Sequence, residues 1–445
     1  MTRQALPLMK IKGRHLLIFL LIGGQITLWE VTNRINFVGG LSADGLRNMI
    51  LLFVALMGVT LFAAQRSGKV PNVWRIWPYI LFVFWAELSI LWTTELSYTI
   101  RDGLKLVYPI LFYILVSLVL RSDGDSKAWL QVLRRILQFF VILSCASALV
   151  SIIANLGSLE WGVDRLHKLP FYMRSPVAIS VILLEFAGWR KIPDWRLNWP
   201  IIGMALMLVV MTITRSFIFS MAIGIAAIFF VSVRQLHWQI ASIALCVTLC
   251  LGVLTVDNPV KRRMFWEPDE ITASFLLKTM FTNPGRFLLD SQYVEERVVR
   301  LAGRLRYWNI LLTESRNRRP AILGSGLGSA RPIMAVSYYQ TVSHGDYAKY
   351  LGELGYVGFS LFLFIYGLLL VWSWSWTYSK RLSAVGHTCA IVLFALTAVS
   401  VTVSIVYDIF FAAYDFQVIA ILLIAILQTE ISSMKHNAAL IEQRA

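Results

Sequence analysis

Residues 198–234 read NWPIIGMALMLVVMTITRSFIFSMAIGIAAIFFVSVR, two apolar runs that meet at a single charged residue, Arg215. Each run comes close to the roughly 17–25 apolar residues that carry an α-helix across a hydrocarbon layer. The stretch therefore reads as two membrane spans, 198–213 and 216–233, nearly fused, with Arg215 at a very tight turn between them. Working outward, the same pattern recurs at 16–31, 48–64, 76–92, 104–120, 136–155, 175–189, 238–256, 348–373, 384–405 and 409–428, which makes twelve expected spans. The chain has 445 residues, 58% of them apolar and 15% charged. Ordinary soluble domains run at about 45–50% apolar and about 25% charged. This composition excludes a soluble domain, and it excludes disorder, which needs low hydrophobicity. The expected class is an all-α polytopic membrane protein.

The formal charge of +16 suits anionic lipid and does not require a nucleic-acid partner. The four cysteines, Cys145, Cys246, Cys250 and Cys389, all lie inside apolar runs and form no disulfide framework. Lys and Arg in short connections set the orientation. With the N-terminus inside, the inner segments hold 19 and the short outer connections hold 8, so both termini are expected in the cytoplasm. Met1 to His15 leads into the first span without a small-residue cleavage site.

Ten of the eleven connections are short, and the eleventh, 257–347, is about 90 residues long. The chain thus divides into spans one to nine (1–256), an external, largely helical loop (257–347), and spans ten to twelve with a cytoplasmic tail (348–445). Within the loop, Val294, Val298, Leu301, Leu305, Trp308 and Leu312 recur at alternating four and three, which predicts a helix over 291–314. Arg297, Arg300 and Arg304 lie along one flank of that stripe. They can touch lipid phosphates on a membrane-lying helix, or one of them can grip a substrate phosphate with its guanidinium fork. Leu323-Gly-Ser-Gly-Leu-Gly-Ser329 follows. Gly324, Gly326 and Gly328 permit close backbone approach. No Lys-Ser/Thr continuation of a nucleotide loop is present, so a tight turn under a binding cavity is expected.

Of six histidines, only His167 and His344 map outside. His344 stands at the outer mouth of the tenth span, and imidazole can take a proton from a sugar hydroxyl near neutral pH. Outside, His344 and Asp346 are too few to form a metal-ligand set. Arg215 either snorkels to headgroups or anchors an anion in the cavity.

These motifs occur in a telling order: Ser89-Ile-Leu-Trp92 with Glu95, Thr214-Arg-Ser216, Arg304-x-x-x-Trp308, Gly324-Ser-Gly-Leu-Gly328, then His344-Gly-Asp-Tyr with Glu353-Leu-Gly355 and Gly358. Over roughly residues 85–370 the set resembles the bacterial O-antigen ligase/polymerase family of polytopic membrane proteins. Thr-Arg-Ser stands where the family often has Ser-Arg-Gly, and His344-Gly345 where it often has His-Asn. The resemblance implies a glycosyltransferase of lipopolysaccharide or exopolysaccharide biosynthesis in the bacterial inner membrane. Its donor would be a polyprenyl-diphosphate-linked glycan, and its acceptor a lipid A-core sugar (ligase) or another lipid-linked repeat (polymerase). By motif match, Arg215 and Arg304 would hold the leaving diphosphate and His344 would be the general base. Trp308, Gly324, Gly326 and Asp346 would support them. The implied reaction inverts the anomeric centre and uses no metal and no other cofactor. The rival expectation is a multi-pass transporter or flippase of lipid-linked oligosaccharide, which would not need so long an outer loop. A scaffold of an envelope complex is a more distant alternative.

Overall fold

In a computed structural model of the chain, the described residues are 21, 50, 52–59, 76–93, 95–123, 125–154, 175–211, 215–232, 240–241, 244, 248, 272, 274, 302–333, 345–405 and 414–442. Among them are ten α-helices with described bounds and no strand. In chain order these are α1 (Trp77–Leu88), continued by a 3-10 turn (Ser89–Leu91), then α2 (Leu96–Asp123) and α3 (Ser126–Ala154). Next come α4 (Ser175–Lys191), α5 (Trp199–Met211), α6 (Arg215–Ser232) and α7 (Ala302–Arg318). The last three are α8 (Asp346–Thr377), α9 (Ala384–Ser404) and α10 (Tyr414–Glu442). Residues 52–59 are helical as well, within the expected second span. The expected spans 16–31 and 238–256 lie outside the described residues except at positions 21, 240, 241, 244 and 248.

The chain is a multi-pass membrane protein. Five of its described helices, α2, α3, α8, α9 and α10, are long and apolar enough to cross a bilayer, and shorter apolar helices accompany them. Two helices are apolar on every side and sit in the middle. In α4 the residues from Ser175 to Leu184 are all buried, and in α9 so are those from Thr388 to Leu393. Small side chains let neighbours approach: Gly224 of α6 fits against Val399 of α9 and Leu183 of α4. Peripheral helices point large apolar side chains outward, such as Phe84 of α1, Phe139 and Leu149 of α3, and Trp199 of α5. Apolar residues aimed away from the core are what a hydrocarbon solvent allows.

At one end of the bundle a buried carboxylate closes the structure. Glu185 of α4 is fully buried, which is costly at membrane depth unless every oxygen is engaged. Arg134 of α3 donates from Nε and Nη2 to its two oxygens at 2.7 and 2.6 Å. Gln138 and Trp195 donate to the same carboxylate at 2.7 and 3.2 Å. The Arg134 guanidinium also lies 4.2 Å over the Trp195 ring. One residue thereby ties α3, α4 and the 192–198 connection together.

At the other end α8 is broken. Gly355 has φ 65° and ψ −166°, a region only glycine enters freely. The break turns the N–H groups of Tyr356 and Val357 away from their helical acceptors. They donate instead to the Ala321 and Ile322 carbonyls at 3.0 and 3.4 Å. The Gly352 and Glu353 carbonyls that they leave accept from Ser325 and Gly326 N–H at 3.0 and 2.7 Å. The Leu354 carbonyl accepts from the Trp85 indole at 3.0 Å. The loop after α7 thus replaces the missing rungs of α8.

A Cβ at position 355 would overlap the Ile322 carbonyl, whereas one at Gly367 of the same helix meets open space. Gly355→Ala is therefore expected to lower thermal stability in detergent by at least the ~1–3 kcal/mol of a strained backbone site. Gly367→Ala should be neutral or gain up to about 1 kcal/mol from helix propensity. Similar melting temperatures for the two variants would refute the role given to the break.

Candidate functional site

The expected site residues that the structure describes fall at the broken end of α8. Asp346 opens α8 and is fully buried; its Oδ2 accepts from Ser404 at the end of α9, 3.0 Å away. Tyr347 donates to the Val401 carbonyl at 3.2 Å, which fixes the start of α8 on the end of α9. Gly345 stands just before, and the Trp308 indole of α7 packs against it. Arg304 lies in α7 one helical turn before Trp308. Arg215 is the first residue of α6. Phe230 near the end of α6 meets Trp374 near the end of α8, 6.4 Å between ring centres. The two helices hence run in the same direction, and Arg215 belongs to the end of the bundle where α8 begins. His344 lies outside the described residues.

The described part of α7, Ala302–Arg318, runs past the expected end at 314 and stops before Pro320, while residues 291–301 of the expected helix lie outside the described residues. Its packing also differs from a helix lying on lipid. Leu311, outside the apolar stripe read from the sequence, is fully buried with Ser315, and both face Gly352 of α8. The burying face is turned toward the protein because the broken helix offers a flat glycine surface there.

Gly324 and Gly326 are buried in that same junction, with φ of 71° and 97°. A Cβ at Gly324 would overlap the 353–355 backbone, and one at Gly326 would crowd Thr93. The loop's N–H groups are turned into the protein. Besides Ser325 and Gly326, Leu327 donates to the Ser89 hydroxyl at 2.9 Å and Ala330 to the Glu353 carboxylate at 2.9 Å. The Leu327 carbonyl accepts from Thr99 at 2.6 Å. The loop is a fastener between α8 and the α1–α2 connection, not a phosphate cradle.

Sequence reasoning missed the most highly charged feature of this end. The expected span 104–120 begins eight residues earlier in the structure, so Arg101, Asp102 and Lys105 lie inside α2. Asp102 is fully buried. Around it stand Arg101 Nε at 3.4 Å, Lys105 Nζ at 4.0 Å, Arg331 Nη2 at 3.8 Å and Lys349 Nζ at 3.6 Å. They come from α2, from the chain after the glycine loop and from the first turn of α8. Only the residue type offers a signal in the sequence, since 101–105, 331 and 349 share no spacing pattern.

Apart from this polar end, a cavity of about 420 Å³ lies between α1, α2, α8, α9 and α10, lined by Tyr79, Tyr113, Trp372, Phe416, Gln428 and other uncharged residues. Tyr113 donates to the Gln428 side chain within it, at 2.5 Å. Its surface suits a hydrocarbon chain and not a glycan. Among the described residues no three His, Cys, Asp or Glu side chains gather as metal ligands would.

Asp102→Asn would leave four cations around a neutral amide. A loss of stability on the order of 3–5 kcal/mol is expected, as for other buried ion pairs deprived of one partner. Arg331→Gln removes one cation of four and should cost clearly less. Chemical unfolding of the two variants in detergent checks this, and an Asp102→Asn protein as stable as wild type would show that the carboxylate does not hold the cations.

No protein-family model and no curated protein matches the chain.

Proposed function

We propose that this membrane protein transfers a polyprenyl-diphosphate-linked glycan to an acceptor sugar hydroxyl at the outer face of the bacterial inner membrane, as an O-antigen ligase or an O-antigen/exopolysaccharide polymerase. The observation that carries the reading is the contact of Trp308 with Gly345. It joins the helix that bears Arg304 to the neighbour of His344, although about 40 residues separate them in sequence. The start of α6, with Arg215, belongs to the same end of the bundle.

In the proposed reaction His344 takes the proton of the acceptor hydroxyl. The hydroxyl oxygen attacks the anomeric carbon, and the bond from that carbon to the phosphate oxygen breaks. The diphosphate departs with the bonding electrons while Arg215 and Arg304 stabilise its growing charge. Displacement in one step inverts the anomeric configuration. The proposed topology has twelve spans, both termini inside and 257–347 outside, from the 19 to 8 charge asymmetry.

The break in α8 also bears on the rival transporter reading, because discontinuous helices line transport sites. Here the freed backbone groups at Gly352, Glu353, Tyr356 and Val357 are taken up by the 321–326 loop, so they do not face a permeant. That favours the enzyme.

Purified protein supplied with lipid-linked glycan and acceptor should form the transferred product. His344→Ala should slow transfer by about 10²–10⁴, and His167→Ala should leave it unchanged. Arg215→Ala and Arg304→Ala should each abolish most of it, with Lys at either position restoring a part. Movement of the donor across vesicles without product would replace this reading with the transporter.

For the topology, single cysteines near positions 270 and 320 should react with an impermeant thiol reagent in intact cells, and one near 440 should not. The opposite pattern would put the proposed site on the wrong side of the membrane.

A further inference from the structure

The proposed transfer gives no role to the cavity between α1, α2, α8, α9 and α10. Its volume of about 420 Å³ falls within the roughly 300–1,000 Å³ of ligand sites. None of the residues lining it is charged. Polar groups on its wall are turned to protein partners: Tyr79 donates to the Leu106 carbonyl at 3.0 Å, Thr397 to the Leu393 carbonyl at 2.7 Å, and Tyr113 to Gln428. A buried water needs about two to four polar partners, so this wall holds water poorly. Left empty, it would forfeit dispersion contacts in a close-packed bundle. Hydrocarbon is the filling that fits.

Position narrows the occupant. The wall follows α8 from Ile365 to Trp376, about 16 Å at the helical rise and so about half of the hydrocarbon layer. Trp77 of α1 and Leu368 of α8 line the cavity and are also 42% and 38% exposed on the bundle surface, so a chain can enter from the surrounding lipid. Another part of the wall points to the proposed site. Tyr366 shares a hydrogen bond with Ser404 at 3.3 Å, and Ser404 donates to Asp346 at 3.0 Å. Ser400, one helical turn before Ser404, lines the cavity as well. Asp346 is two residues from His344 in sequence. A chain lying in the cavity therefore has one end beside the start of α8.

We propose that this cavity holds the first part of the donor's prenyl tail, with the diphosphate end of the tail toward Tyr366 and Ser404. The tail enters sideways from the bilayer and sets the depth at which the reacting carbon is presented. The identity of the chain rests on the proposed transfer, whereas its binding is measured without turnover.

Photocrosslinking of the full chain in lipid nanodiscs tests it. The probes are a long-chain polyprenyl phosphate with a diazirine near its phosphate end, and a phosphatidylglycerol with a diazirine in one acyl chain. The prenyl probe should label 365–376 and 416–431 saturably, and excess unlabelled polyprenyl phosphate, but not phosphatidylglycerol, should remove the label. Ala420→Phe, which fills the cavity from α10, should lower labelling about tenfold or more, the scale of about two methylene groups kept from burial. Gly367→Phe, on the open surface of α8, should leave it unchanged. Where transfer is measured, Ala420→Phe should raise KM for a long-tailed donor, spare a geranyl-linked one and leave kcat unchanged. Saturable labelling in a protein that transfers nothing would refute the reaction and uphold the tail site. Should Ala420→Phe not fold, the wild-type label map and its competition decide. No saturable label in the two segments, equal labelling of a folded Ala420→Phe, or a phosphatidylglycerol label that polyprenyl phosphate does not displace overturns the proposal.

Discussion

A break in a helix at membrane depth must have its backbone groups satisfied from within, because lipid offers no hydrogen bonds. The break at Gly355 meets this demand by exchange. Two rungs of α8 are given up, and four bonds to residues 321, 322, 325 and 326 replace them. Everything else at this end follows from that exchange. The loop can reach the broken helix only if it has no side chain at Gly324, and Gly326 in turn leaves room for Thr93. Once docked, its Leu327 is pinned from both sides, by Ser89 and Thr99, so the α1–α2 connection is held too. Three separate parts of the chain, α8, the loop and the α1–α2 connection, are thus fixed around one unpaired stretch of backbone.

The two ends of the bundle handle buried charge in opposite ways. Glu185 is matched by donors from Arg134, Gln138 and Trp195, all at hydrogen-bond distance. Nothing is left over, and such a site has no capacity for a ligand. Asp102 is surrounded by more cations, yet none makes a hydrogen bond to it. A carboxylate that served only to fasten helices would settle on one partner at short range. The loose arrangement at Asp102 holds several cations at 3.4–4.0 Å. The first is a clasp of short, directional bonds, and the second a looser charge cluster.

The membrane helices were legible in the sequence because hydropathy is a local property. The expected 384–405 and 175–189 agree with α9 and α4 to within two residues at each end. The start of α2 was not legible. Arg101 and Asp102 fall in the connection before the expected span 104–120, whereas in the structure they lie inside the helix, with Arg331 and Lys349 beside Asp102. The break had a local trace, since Gly352, Gly355 and Gly358 recur every three residues at the head of an apolar run. Three glycines do not say which one bends, however; that depends on the loop, thirty residues earlier, which supplies the missing partners. The stripe on α7 leaves out Leu311, which is fully buried among the described residues, for a similar reason. Leu311 is buried because Gly352 opposite it leaves room, and no periodicity within α7 contains that fact.

Position in such a site is a matter of what each element is referenced to. The described half of α7 packs on Gly352 through Leu311 and Ser315, three residues before the break. The loop that leaves α7 is bonded to residues 352–357 of the same helix. The segment entering α8 is held by Trp308 and by Ser404. Both α7 and the loop after it are therefore measured from one short piece of α8, and α7 in turn meets the entry to α8 through Trp308. A helix without the break would offer no free carbonyls and no N–H groups, and the loop and α7 would have only apolar contact to locate them. Hydrophobic contact is non-directional, while the exchanged hydrogen bonds fix distance and angle. The strained glycine is thus where directional bonding enters this end of the bundle, the end that gathers Arg101, Asp102, Lys105, Arg331 and Lys349.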